Sequence, residues 1–226
     1  MGKTTMHKTV VHLGLVFLCS CSLLISGCAD AKRSAGKSRN TARAAAELAD
    51  QKAAIAYLTF SLPEQMKWVR NPDEALANAG LAEWTLEGYS PTESPARVMY
   101  QKIVPAQAPA TLKGQILAPL ADCTDSQVEA FKGQSKYSDQ INIEAICSQM
   151  GKDNYGLLSY VSIFSDQVAN HLVLAEIRTP ASKKAGMLTF QNAEAQKQAE
   201  TSKILSDLLF NLMQTIRVCD EKNLCI

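Results

Sequence analysis

Ile204, Leu205, Leu208, Leu209, Leu212, Met213 and Ile216 recur at three- and four-residue spacing near the C-terminus, the repeat of one face of an α-helix. A stripe that broad, on a helix from Ala193 to Val218, has to leave water. It therefore calls for a second apolar layer elsewhere in the chain, and the segments before it read as strands. Ile141, Ile143, Ala145 and Cys147 alternate with Asn142 and Glu144, which is the two-residue period of a strand with one buried face. "GLLSYVSIF" and "HLVLAEIRT" follow as further strands, joined by the turn "SDQVAN".

Upstream, "LAEWTLEGYS" sets Trp84 and Leu86 on one side of an extended segment. "RVMYQKIV" sets Val98 and Tyr100 on one side and Met99, Gln101 and Ile103 on the other, and the Ser90 to Pro95 stretch makes the two a hairpin. "YLTFSL" is a strand stopped by Pro63, and "EQMKWVRNPDEALANAG" is a mixed segment punctuated by Asn71-Pro72 and Gly80. Leu112, Ile116 and Leu120 fall at helical spacing, with Pro119 ending or kinking the helix. The Ala-rich run from Thr41 to Ala56, with Glu47, Leu48 and Lys52, predicts a short helix leading into the body. The expected fold is α+β: an antiparallel sheet of about five to six strands with the long C-terminal amphipathic helix packed across it.

The N-terminus is different. Lys3 and Lys8 precede an apolar run from Val10 to Ile25 interrupted by His12, the layout of a signal peptide. Crossing a bilayer takes about 20 apolar residues, and Leu13 to Ile25 falls short of that. The run ends in Ile25-Ser26-Gly27-Cys28. This resembles the lipobox of bacterial lipoproteins, with Ile in place of the commoner Leu at its first position. The resemblance implies cleavage before Cys28, a diacylglyceryl thioether on its sulfur and an acyl chain on its amine. Each buried methylene contributes ~0.8 kcal/mol, so two or three chains anchor stably. With Ala29 and not Asp after the cysteine, the resemblance implies the periplasmic face of the outer membrane in a host with two membranes.

On this division residues 1–27 are the lipoprotein signal peptide, 28–43 a flexible lipid-anchored tether and 44–226 a single domain. Lys32, Arg33, Lys37, Arg39 and Arg43 make the tether basic against Asp30 alone, while the body carries sixteen Lys and Arg against twenty-one Asp and Glu. A basic tether is attracted to anionic headgroups or is simply a solvated spacer. The body offers no basic patch with interleaved aromatics, so nucleic acid is not an expected partner.

Cys19 and Cys21 fall in the signal peptide and Cys28 carries lipid, leaving Cys123, Cys147, Cys219 and Cys225. An even number in an exported domain reads as two disulfides. Three pairings are open; Cys219 with Cys225 and Cys123 with Cys147 are favoured. No Cys-x-x-Cys redox motif occurs.

From Tyr57 to Val218, the order of elements and the extended pair "YVSIF...HLVLAEIRTP" resemble the Mog1/PsbP-type sandwich of several small exported bacterial lipoproteins. The resemblance implies the layered fold and assigns no site residues.

Chemistry-bearing motifs are sparse. Once His7 and His12 leave with the signal peptide, His171 is the sole histidine, which rules out a zinc site with two histidines from one chain. A catalytic triad would have to use His171, and no nucleophile elbow accompanies it. No phosphate-binding loop, dinucleotide fingerprint or EF-hand loop is present, and neither metal nor cofactor is expected. Glu83 with Glu87, or Asp122 with Asp125, could be carboxylate pairs, and Trp68 and Trp84 could line a ligand pocket. These features favour a non-catalytic, lipid-anchored envelope protein that docks other envelope proteins, as an accessory part of a secretion or assembly complex. The alternatives are a lipoprotein that binds a lipid or small solute between sheet and helix, and a hydrolase using His171.

Overall fold

The structure is a computed structural model that describes residues 55–152, 155–186 and 193–226; Cys28, the lipobox and the tether lie outside them. The described residues belong to one unit, Ala44–Ile226. In chain order they form β1 (Tyr57–Thr59), β2 (Trp68–Arg70), α1 (Glu74–Asn78), β3 (Leu81–Leu86), β4 (Ala96–Ile103) and α2 (Pro109–Leu117). A 3-10 turn (Ala118–Asp122), β5 (Ser126–Ala130), β6 (Gln140–Cys147), β7 (Tyr155–Ser165) and β8 (Asn170–Pro180) follow, then α3 (Ala193–Thr215) and β9 (Arg217–Cys219).

Seven strands make one antiparallel sheet in the order β2-β3-β4-β8-β7-β6-β5, while β1 and β9 form a separate two-stranded pair. The class is α+β with a long C-terminal helix, as the sequence implies, but with more strands than the five or six expected. The additions are β2, β5 and β9, each too short to show an alternation. β9 also corrects the end of the long helix: α3 stops at Thr215, and Val218 pairs with Leu58. "YLTFSL" is a strand over Tyr57–Thr59 only. Of the helix expected up to Ala56, residues 41–54 lie outside the described residues, and Ile55 and Ala56 are not helical.

β7 and β8 lie at the centre of the sheet and run through "YGLLSYVSIFS" and "NHLVLAEIRTP", where apolar residues stand on both faces because both faces are covered. On one side Val98, Val173, Ala175, Ile177, Tyr160 and Phe164 meet Leu205, Leu209, Leu212, Met213 and Ile216 of α3. On the other, Val161, Ile163, Leu172, Leu174 and Ile143 pack against Leu112, Ile116 and Leu117 of the α2 region. The buried face of α3 also includes Ala199 and Ser202, and Ser202 satisfies its hydroxyl by donating to backbone oxygens of Gln198 and Arg178. Ile204 is 57% exposed, so the stripe runs one position to the side of its first expected residue.

The end of the α2-side face not covered by α2 is polar. Arg97 of β4 bridges Glu176 of β8 and Glu83 of β3, and Asn71 donates to Glu83 at 2.9 Å. Both carboxylates are buried, and each needs its partner because an unpaired buried charge is costly. Two disulfides fix the periphery: Cys123–Cys147 ties the segment before β5 to the end of β6, and Cys219–Cys225 closes the C-terminal turn. Gly156 has no room for a side chain, since a Cβ there would lie 2.7 Å from the Cys147 carbonyl oxygen and 2.8 Å from that of Ser148.

Candidate functional site

The residues singled out in the sequence do not converge. His171 points to the helix-facing side of β8 and is completely buried. Its Nδ1 lies 2.9 Å from the Tyr100 hydroxyl, and its Nε2 has no hydrogen-bond partner. Burial, with the charge of Lys102 across the strand pair, holds its pKa down at about 4 against the opposing pull of Asp166. A side chain so enclosed reaches no substrate. Glu83 lies in the Arg97 cluster whereas Glu87 pairs with Lys67 on the surface. Asp125 accepts from the Ala185 N–H, and the Asp122 carbonyl accepts from the Gly151 N–H. Trp84 meets the Phe60 ring edge-on at 5.5 Å, and the Trp68 indole N–H donates to the Pro63 carbonyl; both rings belong to the core packing. Among the described residues no group of three or more His, Cys, Asp or Glu could hold a metal ion, and no helix is long and apolar enough to cross a membrane.

An unexpected arrangement lies beside α3, on the β5–β6 flank of the same sheet face. Register places Glu129 of β5 directly opposite Glu144 of β6, and Glu144 opposite Tyr160 of β7. Phe131, Tyr160 and Phe210 meet in edge-to-face contacts with centroids 5.6–6.1 Å apart. Phe210, on α3, remains 36% exposed. The Tyr160 hydroxyl is 2.8 Å from Ser206 Oγ.

The electrostatics of this flank are one-sided. Burial and the neighbouring Glu129 push the Glu144 carboxyl up, against the lowering contact with Tyr160. Burial also raises the Tyr160 hydroxyl; Ser206 opposes this, and the carboxylates of Glu144 and Asp207 add to it. None of Glu129, Glu144 and Asp207 takes part in the ion pairs found among the described residues. Like charges directly opposite on neighbouring strands destabilise a sheet, so this is a face whose facing carboxylates have no ion-pair partner among the described residues, beside the exposed Phe210 ring.

A concavity of about 470 Å³ lies between the ends of β7 and β8 and the first half of α3. Tyr89, Glu93, Tyr155, Arg178 and Lys197 line it, and the Arg178 guanidinium sits 4.5 Å from the centre of the Tyr155 ring. Its lining mixes both charges. The apolar cavity between Trp84 and the α3 stripe that a lipid binder would need is instead occupied by packed side chains, since Leu205, Leu209, Leu212 and Met213 are buried in one cluster with Val98 and Val173.

One signal for the acidic flank is present in the sequence: the alternation that buries Ile143 and Ala145 necessarily turns Glu144 to the opposite face. Its partners come from β5, β7 and α3, and only the strand register brings them together.

No protein-family model matches the chain. No curated protein matches it either. Among solved structures it is similar to the Ran-binding protein Mog1p of Saccharomyces cerevisiae, with 10% identity and a TM-score of 0.42 over 76% of this chain and 96% of that one. Mog1p is one of the two namesakes of the sandwich that the order of elements resembles. No residue or activity is carried over from it.

Proposed function

We propose that the chain is a lipid-anchored cell-envelope protein that acts by docking another envelope protein onto the flank of α3. The Ile25-Ser26-Gly27-Cys28 motif supports the anchor. The observation that carries the docking role is the exposed Phe210 ring, seated on the half-buried Phe131 and the buried Tyr160, beside the facing pair Glu129 and Glu144. Exposed aromatics rimmed by charge are the composition of an interface, and the one-sided charge favours a cationic partner. An accessory place in a secretion or assembly complex, at the periplasmic face of an outer membrane, fits an anchor, a spacer and a binding domain.

The test is photo-crosslinking in intact cells of the source organism, with p-benzoylphenylalanine in place of Phe210 in the full chain. One discrete protein adduct, lost when Glu144 is changed to Lys, is the expected result. Absence of any adduct at Phe210 overturns the reading.

Small-solute binding is a second reading, favoured by the cleft at Arg178 and Tyr155. Its mixed charges and aromatic walls suit a zwitterion better than a lipid. Arg178→Ala would abolish such binding and leave the Phe210 adduct intact.

A further inference from the structure

The Glu129–Glu144 pair joins β5 to β6; β5 is an edge of the seven-stranded sheet, and every residue of it from Ser126 to Ala130 is exposed. Backbone bonds from Phe131 N–H to Asn142 O and from Ser148 N–H to Asp125 O fix the phase of the β5–β6 ladder. In an antiparallel pair the hydrogen-bonded residues alternate. Asp125, Gln127, Glu129 and Phe131 therefore face β6 with their backbone groups, and Ser126, Val128 and Ala130 turn theirs outward. Open N–H and C=O groups on an edge are a template for a further strand.

We propose that this edge takes an extended segment of a partner protein, bearing Lys or Arg alternating with apolar residues, as an added strand of the sheet. The inference rests on the docking reading and names what docks. Strand addition draws its affinity from main-chain hydrogen bonds and its specificity from alternate side chains. An incoming strand paired with β5 sets one side chain next to Glu129, extending the row of Glu144 and Glu129, and the following one next to Val128 on the opposite face, which is 41% exposed. A cation in the first position compensates two carboxylates that have no ion-pair partner among the described residues; an apolar residue in the second covers Val128.

A second copy of this chain is the wrong occupant. Antiparallel self-pairing centred on Val128 sets Glu129 of each copy opposite Gln127 of the other and diagonal to the other Glu129, so the Glu129 and Glu144 carboxylates of both copies gather on one face with no cation among them. A charged residue on an edge strand works against pairing with a second copy. Glu144, directly behind Glu129, adds repulsion that only a cationic partner relieves. At the other edge, β2 has three residues and carries Arg70, so it offers neither the length nor the charge.

The probe is a fluorescein-labelled peptide of three Lys-Val repeats, acetylated and amidated, titrated against the full chain in detergent micelles and followed by anisotropy. Saturable binding that weakens with salt is expected, with no binding of the Glu-Val counterpart. V128P removes an outward N–H without touching the β6 ladder and should weaken binding by about tenfold or more. E129K should lose the Lys-Val peptide and gain the Glu-Val one, a reversal that misfolding cannot imitate. A wild-type chain that ignores the Lys-Val peptide, or an E129K chain with unchanged preference, overturns the proposal. So does a V128P chain that unfolds at the wild-type temperature and binds like wild type. A Phe210 adduct persisting in a V128P chain that has lost the peptide leaves docking standing and removes the edge from it. Peptide binding without any adduct removes the docking reading instead.

Discussion

The Tyr100 hydroxyl and His171 Nδ1 lie 2.9 Å apart beneath α3, and the other ring nitrogen of His171 is buried without a partner. The imidazole is held neutral: its folded pKa is about 4, against 6.5 for an ordinary histidine. Between those values the unfolded chain binds a proton that the folded chain does not, so stability falls as pH drops from 6.5 to 4, and this group adds nothing below that window. The loss is at most roughly 3 kcal/mol. Asp166 adds to the acid side. Burial raises its carboxyl, but the N–H groups of Ala169, Ile55 and Val168 outweigh burial and hold it below its usual value, so its contribution is lost as pH falls through that lowered pKa. Urea midpoints at pH 7, 5.5 and 4 should decline for wild type and decline less for His171→Gln.

The face of α3 against the sheet is a filled core, with Leu209 fully buried and Ile204 in water. Leu209→Ala should cost about 3 kcal/mol in chemical denaturation, while Ile204→Ala should stay within about 0.5 kcal/mol of wild type. Equal effects of the two would place the stripe elsewhere on the helix.

Arg97 serves both Glu83 and Glu176. Removing it leaves two buried carboxylates without their cation, and Arg97→Ala should lower stability by about 2 kcal/mol, discounted because the guanidinium is itself partly exposed. Glu176→Gln in the Arg97→Ala background should recover part of the loss. If the double variant is weaker than the single, the two groups are not coupled.

The disulfides close segments of 24 and 6 residues. In the chain-entropy model, loss of Cys123–Cys147 costs about 3 kcal/mol and loss of Cys219–Cys225 about 2 kcal/mol. Mild reduction followed by limited proteolysis should cut the C-terminal turn and the segment before β5 before any central strand. Early cleavage in β7 or β8 would contradict this order.

For the anchor, Cys28→Ser should abolish incorporation of labelled palmitate and release the chain from the membrane fraction. A wild-type chain that takes up no label, or whose mature N-terminus precedes Cys28, would remove the lipoprotein assignment.

How much of this was legible in the sequence depended on segment length. The alternation of β6, the apolar runs of β7 and β8 and the stripe of α3 each span enough residues for a period to emerge, and the structure has all of them. β2 and β9 have three residues each and β5 has five, too few for one. β9 was further hidden because Ile216, just past the last helical residue, keeps the four-residue spacing from Leu212, so the helix read through its own end. Of the acidic flank, the alternation of β6 showed only that Glu144 turns away from the Ile143 face. Glu129, Glu144, Phe131, Tyr160 and Phe210 come from four separate stretches, and only the register of β5 on β6 and the seat of α3 on β7 make neighbours of them.

The pairing of β1 with β9 also has a mechanical side. Ala56 donates to the Cys219 carbonyl, and the Ile55 N–H is held by the Asp166 carboxylate at the β7–β8 turn. A pull arriving through the residues before Ile55 loads those bonds first, and behind them the Cys219–Cys225 loop, whose Val218 and Ile226 backbones bond to each other in both directions. β9 follows directly on α3, so a load taken up at this clip reaches the C-terminal end of that helix first, whereas β5 is the far edge of the other sheet and is not paired with either strand of the clip.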